Sequence, residues 1–299
     1  ERIPQFTRIE AGERLEGIVH EDAEEVIEEY ETLSKTNQYQ DRLLAGLEPV
    51  DLACKGHRKG EFWVHCAAPG HLKTSFALNY AYNNSAIYKK NILYIILEMP
   101  YTQLRKQLYA IHSSHGKFVT EWYRDDGYLG IDYRKIRDGE LTPKEFERFK
   151  IVARDFKETV AGRLYIWRPA EEVTIDDIRR KAEGFHYRFG CNGIVIDHLG
   201  LVSPKRHNQN YVVELNQIVR DTRIMALNFA RGNSVPILSL FQINRQGLLK
   251  ADKNNGVYDI SAISYANEVE KSADKITTTY LNKELRDKGM FLIGCLKNR

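Results

Sequence analysis

The chain has 299 residues, of which 42% are hydrophobic and 11% aromatic, so it can form one large globular domain with an appendage and is not a disordered chain. Its four cysteines are scattered without a CxxC pair, so neither a disulfide framework nor a cysteine-based metal site is predicted. It contains no signal peptide and no apolar run of membrane-spanning length, and we predict a soluble, cytoplasmic protein.

The net charge of +3 is unevenly distributed along the chain. Residues 1–34 contain three basic and eleven acidic side chains, so the remainder carries a net charge of +11. A basic body suits contact with phosphate backbones, and an acidic arm suits a basic neighbour. A solvated acidic helix explains the arm equally well.

The acidic arm contains a predicted amphipathic helix from His20 to Leu33. Its apolar side chains share one helical stripe surrounded by glutamates, and they are Val26, Ile27, Tyr30 and Leu33. The polar residues 34–42 are predicted to be a linker. We therefore divide the chain into an N-terminal arm, linker helix and linker, residues 1–42, and a main domain, residues 43–299.

The main domain alternates apolar runs of strand composition with helical patterns. Five of these runs are residues 61–67, 91–99, 163–167, 193–197 and 235–243. Continuous aliphatic strands separated by helices predict a parallel sheet covered on both faces. A last pair of runs, Lys275–Leu281 and Met290–Lys297, is joined by a polar segment and is predicted to form an antiparallel hairpin at the sheet's edge.

The segment from Cys66 to Asn83 follows the first strand, opens a helix and is typical of a phosphate-binding loop. In such loops the backbone N–H groups and the helix N-terminus hold the phosphates, and a lysine reaches the β and γ oxygens. The hydroxyl that follows the lysine binds Mg²⁺. Lys73 and Thr74 supply these two side chains.

The loop lacks two glycines of the usual pattern. Ala67 and Leu72 occupy their positions, where the turn is tight and the backbone approaches the ligand. The residues expected to bind the nucleotide are Gly70, His71, Leu72, Lys73, Thr74 and Ser75. Because the β-carbon of Leu72 limits the backbone dihedrals, we expect nucleotide binding with slow or altered hydrolysis.

Polar side chains close three other predicted strands. Asp197 is predicted to hold Mg²⁺ together with Thr74. Glu98 is placed to orient or deprotonate the attacking water, and Gln242 to sense the γ-phosphate by hydrogen bonding. Ligands of such sheets bind beyond the carboxyl ends of the strands, so we expect one shared crevice. Taken singly, each of these residues is explained as well by a cap or a solvated strand end.

These motifs, in this order, resemble the RecA-like ATPase core and, more narrowly, the DnaB-type replicative DNA helicase family. The resemblance covers roughly residues 43–299, and its most specific segments are LEMP (97–100), VIDHLGLV (195–202), QINR (242–245) and the final KNR (297–299). It implies an α/β fold: a RecA-like P-loop domain with a central, mostly parallel sheet flanked by helices, preceded by a linker helix.

The resemblance also implies a function. It implies a helicase motor, driven by ATP or another nucleoside triphosphate with Mg²⁺, that translocates on single-stranded DNA as a homohexameric ring with nucleotide sites between subunits. Glu98 would be the catalytic carboxylate, Asp197 the Mg²⁺-holding acid and Gln242 the γ-phosphate sensor. Lys297 and Arg299 would act in trans on the nucleotide of the adjacent subunit. The linker helix would dock on the next subunit, and a primase or a helicase loader is an expected partner.

DNA contact in that family comes from loops that face the ring's channel. Two segments here are candidates, residues 203–210 and residues 247–256. Their basic side chains, expected to track a phosphate backbone, are Lys205, Arg206, Lys250 and Lys253. For any single one of them an ordinary solvated loop is as good an explanation.

Two other functions fit part of the pattern. A RecA-like recombinase would share the nucleotide site but form filaments, and a weakly hydrolysing, nucleotide-gated assembly protein would fit Leu72. No primase-binding domain precedes the linker helix, and the last predicted strand runs directly into Arg299. We therefore expect either a fragment, truncated at its C-terminal end as well, or a compact phage or mobile-element relative.

Overall fold

The computed structural model describes residues 23–35, 41–263 and 266–299, and it contains a seven-stranded sheet of order β3-β2-β4-β5-β1-β6-β7. The strands are β1 (Phe62–Ala67), β2 (Ile92–Ile96), β3 (Leu164–Trp167), β4 (Gly193–Asp197), β5 (Ile237–Gln242), β6 (Lys275–Tyr280) and β7 (Leu292–Asn298). Neighbours are parallel except β6 and β7, which are antiparallel. The predicted parallel sheet and its antiparallel edge pair are confirmed.

Helices cover both faces of this sheet. The α-helices of the described residues are α1 (Ala23–Lys35), α2 (Glu48–Cys54), α3 (Lys73–Tyr82), α4 (Tyr101–Ser113), α5 (Gly116–Asp126), α6 (Tyr133–Asp138), α7 (Pro143–Thr159), α8 (Ile175–Phe189), α9 (Tyr211–Leu227), α10 (Arg245–Lys253), α11 (Ala266–Ser272) and α12 (Lys283–Asp287). Thr142 and Thr174 begin α7 and α8 with capping boxes, which satisfy backbone N–H groups of the first turn. In the described ranges, no helix is both long and apolar enough to span a bilayer.

Successive side chains of the strands point into two separate cores. Phe62 and Val64 of β1 pack on one face with α8 and α9, whereas Trp63 of β1 and Tyr94 of β2 pack on the other with α3 and α4. Because both faces are covered, the central strands are mostly apolar on both faces. This is why they stand out in the sequence as continuous apolar runs.

The N-terminal helix is confirmed over Ala23–Lys35, and its last two residues belong to the segment predicted as linker. Residues 20–22 and the linker residues 36–40 lie outside the described residues, as does the side chain of Leu33. Val26, Ile27 and Tyr30 on α1 are 59%, 52% and 72% exposed, so this part of the apolar stripe faces solvent. An exposed apolar stripe on a helix fits a surface that packs on a partner.

The prediction of a loop over residues 247–256 is wrong for most of its length, because α10 extends to Lys253. The side chain of Asn244 accepts a hydrogen bond from the N–H of Gly247 at 2.6 Å and so caps this helix. Leu248 and Ala251, three residues apart, pack toward the core on one face of α10. Capping and packing together outweigh the turn-forming composition of the segment.

Asn84 ties the start of the main domain to the end of α3. It is buried in a π-helical turn that continues α3. Its Oδ1 accepts a hydrogen bond from the Leu44 N–H at 3.0 Å, and its Nδ2 donates to the carbonyl oxygens of Leu44 at 2.7 Å and Tyr80 at 2.8 Å. Both backbone groups of Leu44 thus depend on one side chain.

We expect Asn84→Ala to lower the free energy of unfolding by about 2–4 kcal/mol, because each buried group left unpaired costs about 1–3 kcal/mol. Urea denaturation followed by circular dichroism measures this change. The matched control is Asn83→Ala, since the Asn83 Nδ2 is buried without a hydrogen-bond partner in the described part of the chain. Equal destabilisation by the two substitutions would contradict the assignment.

Candidate functional site

Four of the predicted site residues lie at the carboxyl edge of the parallel strands. Lys73 begins α3 just after β1, Glu98 follows β2 by two residues, Asp197 ends β4 and Gln242 ends β5. These four strands are neighbours in the order β2-β4-β5-β1, so their carboxyl ends form one continuous edge. The structure therefore places the four residues along one edge of the sheet. Their individual roles stay predictions.

The loop between β1 and α3 adopts backbone conformations that favour glycine, although two of the usual glycines are replaced. Leu72 has φ 66° and ψ 19°, a left-handed conformation that costs a non-glycine residue about 1–2 kcal/mol. Gly70 has φ 76°, and a β-carbon built there would meet open space. Ala67 ends β1 in extended conformation, paired with Gln242 and Thr279, so glycine is not required at its position.

Hydrogen bonds of His71 hold this loop against the end of β6. Its Nδ1 accepts a hydrogen bond from the Leu281 N–H at 3.1 Å, and its carbonyl oxygen accepts one from the Thr279 hydroxyl at 2.6 Å. Its own N–H donates to the Ala68 carbonyl at 3.1 Å. Burial lowers the pKa of His71, which keeps Nδ1 unprotonated and able to accept. The structure thus turns the imidazole toward β6, and a nucleotide contact by this residue stays a prediction.

Glu98 lies between a lysine and a histidine. Its Oε2 is 3.3 Å from the Lys73 Nζ and 3.8 Å from the His198 Nε2. Burial, reinforced by the charge of Lys73, lowers the pKa of His198 to about 4, so this imidazole is neutral at pH 7. Lys73 is therefore the cation that holds Glu98 toward the loop.

Asp197 presents one open oxygen. The residue is fully buried, its Oδ2 accepts a hydrogen bond from the Tyr94 hydroxyl at 2.9 Å, and its Oδ1 has no hydrogen-bond partner among the described residues. Burial raises the pKa of Asp197, while Tyr94, Lys73 and the Thr74 hydroxyl act in the opposite direction. A carboxylate oxygen and a hydroxyl are hard ligands of the kind that Mg²⁺ prefers. These residues therefore fit a Mg²⁺ site.

The basic pair Lys297 and Arg299 lies at the opposite, amino edge of the sheet. Because β7 is antiparallel to β6, Asn298 pairs with the first residue of β6, Lys275. The Arg299 N–H donates to the Asp274 carbonyl at 3.0 Å, and the Arg299 Nη2 donates to the Lys271 carbonyl at 3.2 Å. The Lys297 Nζ donates to the Glu270 carbonyl. Desolvation lowers the pKa of Lys297. Within one copy, the structure does not bring this pair to Lys73.

The four basic residues predicted to contact DNA differ in their surroundings. Lys205 is 2.9 Å from an oxygen of Asp176 and 3.3 Å from one of Asp221, and these carboxylates raise the pKa of Lys205. Its charge is therefore largely balanced within the chain. Arg206 is exposed, and Lys250 and Lys253 lie on the exposed side of α10. These three residues present positive charge to solvent, and their contact with DNA stays a prediction.

Sequence analysis missed Tyr94 and His198, although each carries a signal. A tyrosine inside an otherwise aliphatic buried strand needs a partner for its hydroxyl, and the neighbouring strand end at Asp197 supplies one. His198 directly follows Asp197 and lines a cavity of about 530 Å³ together with Pro69 and Gln242. The sequence shows that these groups are polar, but only the sheet order shows that they are neighbours.

Comparison with known proteins gives matches over most of the chain. The family model described as "DnaB-like helicase C terminal domain" matches residues 43–292. The chain is 26% identical over 259 residues to the replicative DNA helicase DnaB of Geobacillus stearothermophilus, covering 85% of this chain and 51% of that protein. It is 25% identical over 285 residues to DnaB of Haemophilus influenzae, covering 92% and 55%. The chain thus spans about half the length of these relatives.

Two solved structures share the fold. One, described as an ATPase domain, superposes with a TM-score of 0.75 at 21% identity, over 93% of this chain and 91% of that one. The other, a DnaB-like replicative helicase described with its interactions with primase, superposes with a TM-score of 0.72 at 21% identity, over 95% and 62%. At this identity the likeness concerns the fold alone.

We expect Tyr94→Phe to weaken divalent metal binding about tenfold, because Asp197 loses a hydrogen bond of about 1.5–3 kcal/mol that orients it. Electron paramagnetic resonance with Mn²⁺ in the presence of nucleotide measures this affinity directly. Tyr80→Phe is the matched control, since it removes another buried hydroxyl, which is bonded at 2.8 Å to the His57 Nδ1 and not to Asp197. If both variants bind Mn²⁺ as the unmodified chain does, Tyr94 does not position the carboxylate.

Proposed function

Since the chain belongs to the family of DnaB-like helicase C-terminal domains, we propose that it is the ATP-hydrolysing motor of a replicative-type DNA helicase that translocates on single-stranded DNA. The observation that carries the proposal is the grouping of Lys73, Glu98, Asp197 and Gln242 at one edge of the sheet, beside the N-terminus of α3. Each of these groups has a distinct part in phosphoryl transfer to water.

The chain's own groups suggest an order of events at this site. The backbone N–H groups in the first turn of α3 attract the phosphates of ATP, and the Lys73 ammonium exchanges Glu98 for phosphate oxygens. Glu98 is then free to accept a proton from the attacking water. Thr74 and Asp197 would hold Mg²⁺, which supplies neutralisation of the phosphate charge. The Gln242 side chain donates a hydrogen bond toward the γ-phosphate.

The position of the basic pair supports assembly into a ring. Lys297 and Arg299 lie at the edge of the sheet opposite to Lys73, so they can serve a nucleotide site only across a contact between copies. There the Arg299 guanidinium would neutralise charge that develops during phosphoryl transfer. The exposed stripe of Val26, Ile27 and Tyr30 on α1 would dock on the next copy, and the family resemblance suggests six copies.

DNA and protein partners are part of the same proposal. Arg206, Lys250 and Lys253 would contact the phosphate backbone, and Lys205 would join them on leaving its carboxylate partners. A primase or a helicase loader is the further partner we propose, because one structural relative is described with its primase interactions.

We expect Lys73→Ala to reduce ATP turnover at least about 100-fold, because the phosphates lose the positioned charge that stabilises the transition state. Hydrolysis is measured with and without single-stranded DNA. Lys135→Ala is the matched control, since Lys135 is also paired with a glutamate, Glu145 at 2.7 Å, but lies away from the crevice.

The outcomes separate the proposed function from its alternatives. Undiminished turnover in Lys73→Ala would overturn the site assignment. DNA-independent or negligible turnover in the unmodified chain would favour a nucleotide-gated assembly protein. Helical filaments in electron micrographs with DNA, in place of closed rings, would favour a recombinase.

We expect Arg299→Ala to be nearly inactive alone and to regain turnover when it is mixed with Lys73→Ala. In mixed assemblies, an intact Lys73 of one copy can meet an intact Arg299 of another, whereas neither parent contains such a site. Steady-state hydrolysis across mixing ratios measures the recovery. Mixing Lys73→Ala with Glu98→Ala is the control, because these two residues are 3.3 Å apart in one copy and should not complement. Failure of the first mixture to recover would exclude a role in trans.

A further inference from the structure

A chain of buried hydrogen bonds runs from the core to the phosphate-binding loop. The Trp63 Nε1 is 2.8 Å from the Thr277 Oγ1, which is 2.9 Å from the His65 Nδ1. The His65 Nε2 is 3.2 Å from the Thr279 Oγ1, which is 2.6 Å from the carbonyl oxygen of His71. Trp63, His65, Thr277 and Thr279 are each at most 1% exposed.

The groups at the two ends of this series fix the donor and the acceptor of every hydrogen bond in it. A carbonyl oxygen can only accept, so the Thr279 hydroxyl must donate to His71, and the His65 Nε2–H must donate to the Thr279 oxygen. The indole N–H of Trp63 can only donate, so the Thr277 oxygen accepts it and the Thr277 hydroxyl donates to the His65 Nδ1. Burial lowers the pKa of His65 to about 3, which keeps the imidazole neutral. His65 is therefore the Nε2–H tautomer.

The same imidazole also contacts the helix that carries the lysine. The ring of His65 is stacked on that of Phe76 in α3, with centroids 3.8 Å apart and planes inclined by 11°. His65 thus touches both Thr279, which holds the loop, and the first turns of α3. In the sequence, Leu72 lies between His71, which Thr279 holds, and Phe76. Its left-handed conformation is unfavourable for a leucine. A loop that contains such a residue needs an external restraint to keep one shape.

We propose that His65 is a positioning residue: it orients the Thr279 hydroxyl, which holds the His71 carbonyl and keeps the loop in the shape that binds phosphate. This inference rests on the proposed function of the loop as a nucleotide site. The supporting residues belong to β1 and β6 and are buried beneath the loop, and they are not among the residues expected to contact the nucleotide.

The proposal has a specific kinetic consequence. When only a fraction of molecules holds the competent loop, the apparent dissociation constant of the ligand rises by the inverse of that fraction. Saturating ligand then selects the competent shape, so kcat is preserved while KM increases. A substitution that merely destabilised the fold would lower the melting temperature and leave KM unchanged.

The first test measures the affinity for a non-hydrolysable ATP analogue, with KM, kcat and melting temperature for each variant. Thr279→Val removes the hydroxyl at nearly constant volume, and we expect roughly tenfold weaker binding, equivalent to about 1.4 kcal/mol, with kcat preserved at saturation. Thr279→Ser restores the hydroxyl and should restore the affinity. Thr278→Val is the matched control, because Thr278 is buried on the same strand and its side chain makes no hydrogen bond to the described residues.

The second test examines His65 itself. His65→Phe keeps the stacking on Phe76 but removes both ring nitrogens, and it should weaken binding non-additively with Thr279→Val and additively with Thr278→Val. Nitrogen NMR of the unmodified chain should show His65 protonated at Nε2 alone at neutral pH, a result that does not depend on the variants folding.

The outcomes distinguish this inference from the proposed function. If the unmodified chain binds no nucleotide, the proposed function fails, while the NMR result still reports the tautomer of His65. If nucleotide binds normally and Thr279→Val leaves the affinity unchanged, or if His65 carries its proton on Nδ1, the positioning role of His65 is wrong.

Discussion

The site depends above all on the parallel alignment of β2, β4, β5 and β1. Parallel pairing places every carboxyl end at the same edge, so residues far apart in the chain become neighbours there. Asp197 can share its hydrogen bond with Tyr94 only because β4 and β2 are paired in register, with Tyr94 beside Val195. The apolar faces of the strands thus hold the sheet together. The polar residues that end the strands are brought together at its carboxyl edge and form the site.

The loop after β1 shows how a departure from a motif can be accommodated. Of the two missing glycines, Ala67 needs no special conformation because it is still part of the strand. Leu72 does need one, and adopts it. His71, immediately before it, is held to β6 through both its carbonyl and its imidazole. The strain of one residue is thus offset by hydrogen bonds of its neighbour, and the motif is better understood as a required backbone path than as a required set of letters.

Much of the fold could be predicted from the sequence, because a strand buried on both faces produces an uninterrupted apolar run. The predictions of β1 to β5 rest on such runs, and all seven predicted strands are confirmed. The segment after Arg245 was predicted wrongly, since its asparagines and glycines are typical of turns, whereas capping by Asn244 and the packing of Ala251 form a helix. The residues at strand ends could be identified as candidates because parallel strands end together. The contribution of Thr279 could not, because it depends on which strand lies beside β1.

The separation of Lys73 from Arg299 also bears on symmetry. If Arg299 serves a neighbouring nucleotide, as proposed, the contact joins the carboxyl edge of one sheet to the amino edge of the next, and is therefore head to tail. A head-to-tail contact gives every copy the same direction around the assembly. Its repetition forms a closed ring when the rotation between successive copies returns to the start, and an open helix when it does not. The choice between ring and filament then lies in that angle, which is set by the surfaces between copies and not by any residue of the nucleotide site.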